Sequence, residues 1–150
     1  EIEVLVHRQS ILHSAVELCD GAVIAQLGTP DMRLPIQYAL TYPDRADNAF
    51  ERLSLTDIGT LTFEKPDTET FKCLPLCIKA INEGGLAPTA VNGANEEAVA
   101  LFLQGKIKFL QIADLVGKAL AEVKNKRDFT LEDIFETDKA ARKLVRDSIF

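Results

Sequence analysis

The sequence predicts an α+β fold, in which a β-hairpin-centred partial sheet is followed by a small, mostly α-helical bundle. Before residue 30, apolar residues alternate with polar ones or form short runs, which is typical of strands. After residue 68 they recur at helical spacing. Residues 42–67 contain two prolines and scattered charge, as linkers do. We therefore predict a sheet-containing piece at 1–41, a linker at 42–67 and a helical domain at 68–150.

Composition narrows the class of protein. The 150 residues carry a net charge of −6, which argues against a nucleic-acid partner. No apolar run approaches the ~20 residues that cross a membrane, and the N-terminus lacks a signal-peptide pattern. Three cysteines suit a reducing compartment, so a cytoplasmic location is expected. The chain starts without Met inside a strand-like run, and we expect it to be part of a longer protein.

Three stretches before residue 30 are predicted strands: "EIEVLVH", "SILHSAVELC" and "AVIAQL". Asp20-Gly21 separates the last two and predicts a two-residue hairpin turn with Cys19 opposite Ala22. That register places His13 opposite Gly28, on the face that leads to the corner at Pro30–Met32. The predicted core face is the other one, formed by Leu12, Val16, Leu18, Val23, Ala25 and Leu27.

Helices are predicted from Pro35 to the residues before Pro43 and throughout the last 80 or so residues. A stripe of Leu74, Cys77, Ile78 and Ile81 predicts one buried face, and Gly84-Gly85 a helix end. A second stripe is Ile112, Leu115, Val116, Ala119, Leu120 and Val123. Thr130 with Asp133 resembles a capping box, and Asp138 is the predicted cap of a separate last helix. A strand is also predicted near 60–63.

Several polar clusters have both a functional and a structural interpretation. Cys73 and Cys77 are one helical turn apart, but on an apolar stripe, which favours core packing over metal binding. Glu96 and Glu97 are expected on a solvated face, and Asn92 and Asn95 are expected to bond the backbone of a neighbouring segment. The acidic residues Glu132, Asp133, Glu136 and Asp138 fit helix N-termini better than a metal site.

Three stretches resemble one enzyme family. "VHRQSILHSAVELCDGAVIAQLGTPDMRLPIQYALTYPDR" is similar to the catalytic-domain segment of the 1-deoxy-D-xylulose 5-phosphate reductoisomerases. "IGTLTFEKPD" resembles their linker, and "TAVNGANEEAVALFLQGKIKFLQIADLV" their C-terminal helical domain. The Ser-x-x-His-Ser and Gly-x-Pro-Asp-Met-Arg elements are the most specific parts. The resemblance implies that residues 1–41 end a catalytic α/β domain.

The resemblance also implies a function for the parent protein. The family converts 1-deoxy-D-xylulose 5-phosphate to 2-C-methyl-D-erythritol 4-phosphate with NADPH and Mg²⁺, Mn²⁺ or Co²⁺, as a homodimer in the non-mevalonate isoprenoid pathway. His13, Pro30 and Met32 then match residues on the wall of its substrate pocket. The NADPH-binding domain, the metal-binding acidic cluster and the phosphate-holding residues precede the matched part. We therefore expect no catalytic, cofactor-binding or metal-binding residues in this chain, and no activity from it alone.

Two other classes of function stay open at this stage. The chain could be a non-catalytic helical binding or interaction module, which a natural reading frame of these 150 residues would favour. It could also be a small hydrolase or metal enzyme that uses His7, His13 and the cysteines. Stoichiometric metal in the pure protein would be needed for the second interpretation.

Overall fold

The computed structural model describes residues 2–149 and divides the chain into two compact units, Glu1–Pro66 and Asp67–Phe150. The first contains strands β1 (Leu12–Glu17) and β2 (Val23–Leu27) and helices α1 (Arg33–Thr41) and α2 (Leu55–Ile58). The second contains helices α3 (Cys73–Glu83), α4 (Ala87–Leu103), α5 (Gln111–Glu122) and α6 (Leu131–Asp147). The predicted α+β class is confirmed. Glu1 and Phe150, which the predicted first strand and last helical stretch include, lie outside the described residues.

The linker assignment of residues 42–67 stays a prediction. In the structure residues 42–66 belong to the same compact unit as the hairpin, and this segment contains α2. None of the helices within residues 2–149 is long and apolar enough to cross a lipid bilayer.

The hairpin register differs from the predicted one by one residue. Ala15 pairs with Ala25 and Glu17 with Val23, so the predicted pairing of Cys19 with Ala22 is wrong. The loop has three residues, closed by hydrogen bonds from the Gly21 amide to the Leu18 carbonyl (2.9 Å) and from the Leu18 amide to the Ala22 carbonyl (2.8 Å). Only Gly21 has positive φ, at 84°, whereas the two-residue turn also requires positive φ at the preceding residue.

The one-residue shift changes which side chains share a face. Val16 now opposes Ile24 instead of the predicted Ala25, which makes the predicted core face wrong. Val16, Val23 and Ile24 are 62, 62 and 64% exposed, so neither face of the hairpin is buried within this unit. Ile11, just before β1, is the buried apolar side chain of the segment.

The predicted strands at 1–7 and 60–63 are absent from residues 2–149. They are replaced by a single antiparallel bridge, in which the amides of Val6 and Glu64 each donate to the other's carbonyl at 2.9 Å. Side chains extend the contact: Gln9 and Thr62 share three hydrogen bonds, and the Arg8 guanidinium holds the Glu64 carboxylate at 2.9 Å. We call this pairing of residues 6–9 with 62–64 the clasp.

The helical unit packs around α4, which contacts each of the other three helices. Most of the buried residues of α4 are alanine or glycine, and these small residues allow close helix approach. The core consists of Ala80, Ala87, Ala90, Val91, Ala94, Ala98, Leu101, Ile107, Ile112, Val116, Ala119, Ala141 and Val145. The predicted stripe on α5 is confirmed, since its members are buried or pack against this core.

The predicted buried stripe on α3 is wrong. Ile78 and Ile81 are 49 and 63% exposed, and Cys77 is exposed. The inward face instead contains the fully buried Ala80, with Cys73 and Leu76 packed against the core. The small alanine brings α3 close to its neighbours, and the larger apolar residues are left outside. The predicted end at Gly84 is confirmed, because its amide donates to the Ala80 carbonyl at 3.0 Å.

Residues Leu131–Asp147 form one helix, α6, where two were predicted. Thr130 and Asp133 make the predicted capping box, in which the Thr130 side chain accepts from the Asp133 amide and the Asp133 carboxylate accepts from the Thr130 amide. The predicted cap at Asp138 is wrong. Asp138 lies inside α6, where its carboxylate accepts from Arg142 Nε at 2.8 Å, one turn along. This ion pair offsets the unfavourable helix propensity of an aspartate within the helix, so α6 continues past Asp138 without a break.

The two glutamates of α4 are paired and are not simply solvated. Glu96 accepts from Arg142 at 2.6 Å and Glu97 from Arg146 at 2.8 Å, which joins α4 to α6. The carboxylates of Asp138 and Glu96 raise the pKa of the Arg142 guanidinium. The expected backbone bonds of Asn92 and Asn95 are not found, because neither side chain has a hydrogen-bond partner among residues 2–149.

We expect the stability that the start of α6 contributes to depend on pH in the acid range. Hydrogen bonds from Lys126 and then from Thr130 lower the pKa of Asp133 to about 2. A lowered folded-state pKa contributes stability above the ordinary value of 3.8, and this contribution is lost as the pH falls towards 2. Asp133→Asn should therefore lower the melting temperature at neutral pH, and the difference from the parent chain should shrink as the pH falls from about 4 through about 2.

Circular dichroism melts across this pH range provide the measurement. The matched control is Glu136→Gln on the same helix, because Glu136 has no hydrogen-bond partner among residues 2–149. A difference between Asp133→Asn and the parent that stays constant from neutral to acid pH would contradict the assignment.

Candidate functional site

The first unit turns a sharp corner between β2 and α1. After β2 the Gly28 amide donates to the Ile11 carbonyl at 3.0 Å, and Gly28 is buried there. The Asp31 amide then donates to the Thr29 carbonyl at 2.7 Å, which reverses the chain direction. Pro35 is the third residue of α1, inside its first turn as predicted, where the missing amide leaves no hydrogen bond broken.

Asp31 and Arg33 form a close ion pair on either side of Met32. Arg33 Nη2 lies 2.6 Å from Asp31 Oδ2, and Arg33 Nε lies 3.0 Å from both carboxylate oxygens. The Arg33 amide also donates to Asp31 Oδ1 at 2.9 Å. These contacts lower the pKa of the Asp31 carboxyl and raise that of the Arg33 guanidinium.

The segment after α1 folds back along that helix. Gln37 Nε2 donates to the carbonyls of Ala46 and Asp47, and Asn48 Nδ2 donates to Gln37 Oε1 at 3.0 Å. Phe50, further along the segment, lies beneath the Arg33 guanidinium, whose carbon is 4.6 Å from the ring centre. The corner is thus held from one side by Asp31 and from the other by this returning segment.

Pro30 and Met32 are both exposed at this corner, and the Met32 side chain is 71% exposed. Met32 is the N-terminal cap residue of α1, with helical φ of −65° and ψ of −18°, and it makes no side-chain capping bond. An exposed methionine on a corner that these contacts hold in place is suited to contact a ligand, because its thioether is apolar and adaptable. Their place on a pocket wall stays a prediction.

His13 occupies an irregular position in β1. Leu12 pairs with Leu27 and Ser14 with Gln26, so His13 is the extra residue of a β-bulge. It does not oppose Gly28, whose amide bonds Ile11 instead. The observed register therefore gives no reason to place His13 beside Pro30 and Met32, and that grouping rests on the family resemblance alone. The side chain is exposed, as a bulged residue near a site can be.

His7 belongs to the clasp. Its Nδ1 donates to the Thr62 carbonyl at 2.8 Å, since a carbonyl oxygen only accepts, and its ring stacks on Phe63 with centroids 4.8 Å apart. Nε2 is buried without a partner. His7 is therefore a structural residue here, which removes support for the small metal-enzyme interpretation.

No metal site can be built from the part of the chain that the structure describes. Residues 2–149 contain no group of three or more His, Cys, Asp or Glu side chains placed to hold a metal ion. Cys19, Cys73 and Cys77 are free thiols, and burial raises the pKa of Cys73. The divalent metal that the resemblance implies thus does not fit the residues present.

Sequence reasoning missed the Asp31–Arg33–Phe50 arrangement. The Asp-Met-Arg triplet contains the signal for the ion pair, because two charges of opposite sign flank the exposed residue. The contact with Phe50 has no local signal, since the ring comes from a segment 17 positions further along.

A family model described as the DXP reductoisomerase C-terminal domain matches residues 27–144. The chain belongs to the DXP reductoisomerase family. It is 54% identical to the 1-deoxy-D-xylulose 5-phosphate reductoisomerase of Acetivibrio thermocellus over 99% of its length, and 52% identical to that of Clostridium perfringens over 97%. It spans only 39 and 38% of those DXP reductoisomerases, and corresponds to their C-terminal portion.

Solved DXP reductoisomerases share the fold of this chain. The Zymomonas mobilis enzyme in complex with NADPH superposes with a TM-score of 0.90 at 44% identity, covering 98% of this chain and 39% of that one. A DOX-P reductoisomerase in complex with NADPH, fosmidomycin and magnesium gives 0.89 at 40% identity, with coverage of 97 and 38%. The recognition made from the quoted motifs is confirmed.

Proposed function

We propose that this chain is the C-terminal portion of an NADPH-dependent enzyme that converts 1-deoxy-D-xylulose 5-phosphate to 2-C-methyl-D-erythritol 4-phosphate. The observation that supports this is 54% identity along 99% of the chain to a named reductoisomerase. Within the parent, the chain supplies strands, a corner that faces the substrate and the C-terminal helical unit. The parent acts in non-mevalonate isoprenoid biosynthesis in the cytoplasm as a homodimer.

The isolated chain is proposed to be inactive. It spans 39% of that relative, and the residues that the structure describes offer no cluster of side chains for a metal ion. NADPH and magnesium accompany solved relatives, and the parent is proposed to use NADPH with Mg²⁺, Mn²⁺ or Co²⁺ bound by residues outside this chain. Its partners are then the N-terminal NADPH-binding and catalytic portions of the same protein.

A chimera tests the proposal directly. The C-terminal portion of the Acetivibrio thermocellus enzyme is replaced by these 150 residues, and NADPH oxidation is followed with 1-deoxy-D-xylulose 5-phosphate and Mn²⁺. The chimera should turn over, and the isolated chain should not. A folded chimera without turnover would contradict the proposed function, and turnover by the isolated chain would contradict its inactivity.

The same chimera tests the pocket wall at Met32. Met32→Ala removes an apolar side chain that a bound substrate would cover, and should raise KM by about tenfold. Met32→Leu should retain most of the affinity. Leu40→Ala is the matched control, because Leu40 is an apolar α1 residue that is 82% exposed. An unchanged KM in Met32→Ala would remove Met32 from the pocket wall.

A further inference from the structure

The Asp-Met-Arg triplet contains two charged residues to which the proposed function gives no role. We propose that Asp31 and Arg33 are positioning residues that, with Phe50, hold Met32 in the orientation in which it meets the substrate. The inference rests on the proposed function, since it assigns Met32 a ligand to meet. We call the three residues Asp31, Arg33 and Phe50 the brace.

The first argument is the geometry of the ion pair. Asp31 and Arg33 bond each other across the intervening residue through four contacts of 2.6–3.0 Å, one of them from the Arg33 backbone amide. Because the pair is two positions apart, it closes a small loop that contains Met32 alone. The Asp31 side chain thus restrains the backbone amide that follows Met32.

The second argument is the position of the guanidinium. The guanidinium carbon lies 4.6 Å from the centre of the half-buried Phe50 ring, and the Phe50 amide donates to Asn48 Oδ1 at 3.1 Å. Asn48 in turn bonds Gln37 of α1. Arg33 is thus held between the corner and the segment that follows α1. That segment is itself hydrogen-bonded to α1 through Asn48 and Gln37. A planar guanidinium can bind a carboxylate and stack on a ring at once, which a lysine cannot do.

The third argument is the exposure of Met32. Its side chain is 71% exposed and makes no capping bond, so packing does not restrain it. Exposed ion pairs contribute little to stability, and the 69% exposed Arg33 side chain is no exception. The contribution of the brace is instead to order the backbone that carries the Met32 side chain.

Met32 itself reports on the brace, because it is the sole methionine of the 150 residues. With a ¹³C-methyl methionine label, and after removal of any start methionine, the chain gives one methyl signal. Arg33→Ala should shift that signal and lower its order parameter, and Arg33→Lys should do nearly the same. Arg52→Ala is the matched control, since Arg52 is exposed in the same unit and has no partner among residues 2–149.

Kinetics of the chimera show whether the brace acts through Met32. Arg33→Ala should raise KM by about fivefold and leave kcat nearly unchanged. Added to Met32→Ala, it should have almost no further effect, because the side chain that it positions is gone. A purely structural role would instead give additive losses.

The two hypotheses can fail separately. Additive effects in the double variant, or an unchanged Met32 methyl signal in Arg33→Ala, would overturn the positioning role. An inactive chimera would contradict the proposed function, and the methyl signal would still decide whether the brace orders Met32.

Discussion

Replacing Gly93 by valine is expected to destabilise the helical unit by about 3 kcal/mol, because α4 and α6 have no space for a side chain there. A Cβ at this position would lie 2.7 Å from Asp138 Oδ1, 3.1 Å from the Asp138 carbonyl oxygen and 3.3 Å from its Cα. The carboxylate is held by Arg142 and two of the three atoms are backbone, so relief requires α4 to move away from α6. Urea unfolding followed by circular dichroism measures the loss.

Gly117 of α5 provides the matched control. It is also a glycine inside a helix, but an added Cβ would meet only the Leu76 methyl groups, at 3.7 and 3.8 Å. Gly117→Ala should therefore stabilise the chain by up to about 1 kcal/mol through helix propensity. If Gly93→Val and Gly117→Ala changed stability equally, close approach of α4 and α6 at Gly93 would be ruled out as the cause.

Gly85→Ala is expected to destabilise the same unit by about 2 kcal/mol or more, since strain and overlap act together. Gly85 has a φ of 61°, and a Cβ there would lie 2.5 Å from the Lys126 carbonyl oxygen and 2.6 Å from Asn125 Oδ1. Asn125 spans this position, with Oδ1 accepting from the Leu86 amide at 2.8 Å and Nδ2 donating to the Gly84 carbonyl at 3.2 Å. The alanine would break this connection between the α3–α4 turn and the chain after α5.

The control for strain alone is Gly105→Ala at the end of α4. Gly105 has a similar φ of 71°, but nothing lies within 4 Å of an added Cβ. It should cost about 1–2 kcal/mol, the ordinary penalty for a side chain in left-handed backbone. A Gly85→Ala variant no less stable than Gly105→Ala, in the same urea experiment, would refute the overlap with Asn125 and Lys126.

The parts of the fold that the sequence predicted well have local causes. The capping box needs only Thr130 and Asp133, three positions apart, and the end of α3 needs only a glycine. The amphipathic α5 stripe was also correct, because large apolar residues on one face of a helix compete for burial.

The errors arose where distant residues decide the outcome. Asp138 looks like a helix start until Arg142 and the packing of α6 along α4 are known. The α3 stripe failed because close approach at Ala80 outweighed the size of Ile78 and Ile81. In the hairpin, Asp-Gly is compatible with two loop lengths, and the observed one shifted His13 away from Gly28. The motif drew attention to the corner at Pro30–Met32, whose place on a pocket wall stays a prediction, but it gave no sign of the support from Phe50.

The small side chains along the buried face of α4 have a consequence for how the helical unit tolerates mutation. At Ala90, Ala94 and Ala98 the limit is volume, since an added methyl group meets a neighbouring helix, whereas polarity is less restrictive for a residue as small as serine. On α3, Ile78 and Ile81 are free to change in size because they face outwards. In a saturation-mutagenesis library of the helical unit that is selected for stability, small residues should therefore be favoured at the three α4 positions. At the two α3 positions the selection should show little preference for residue size.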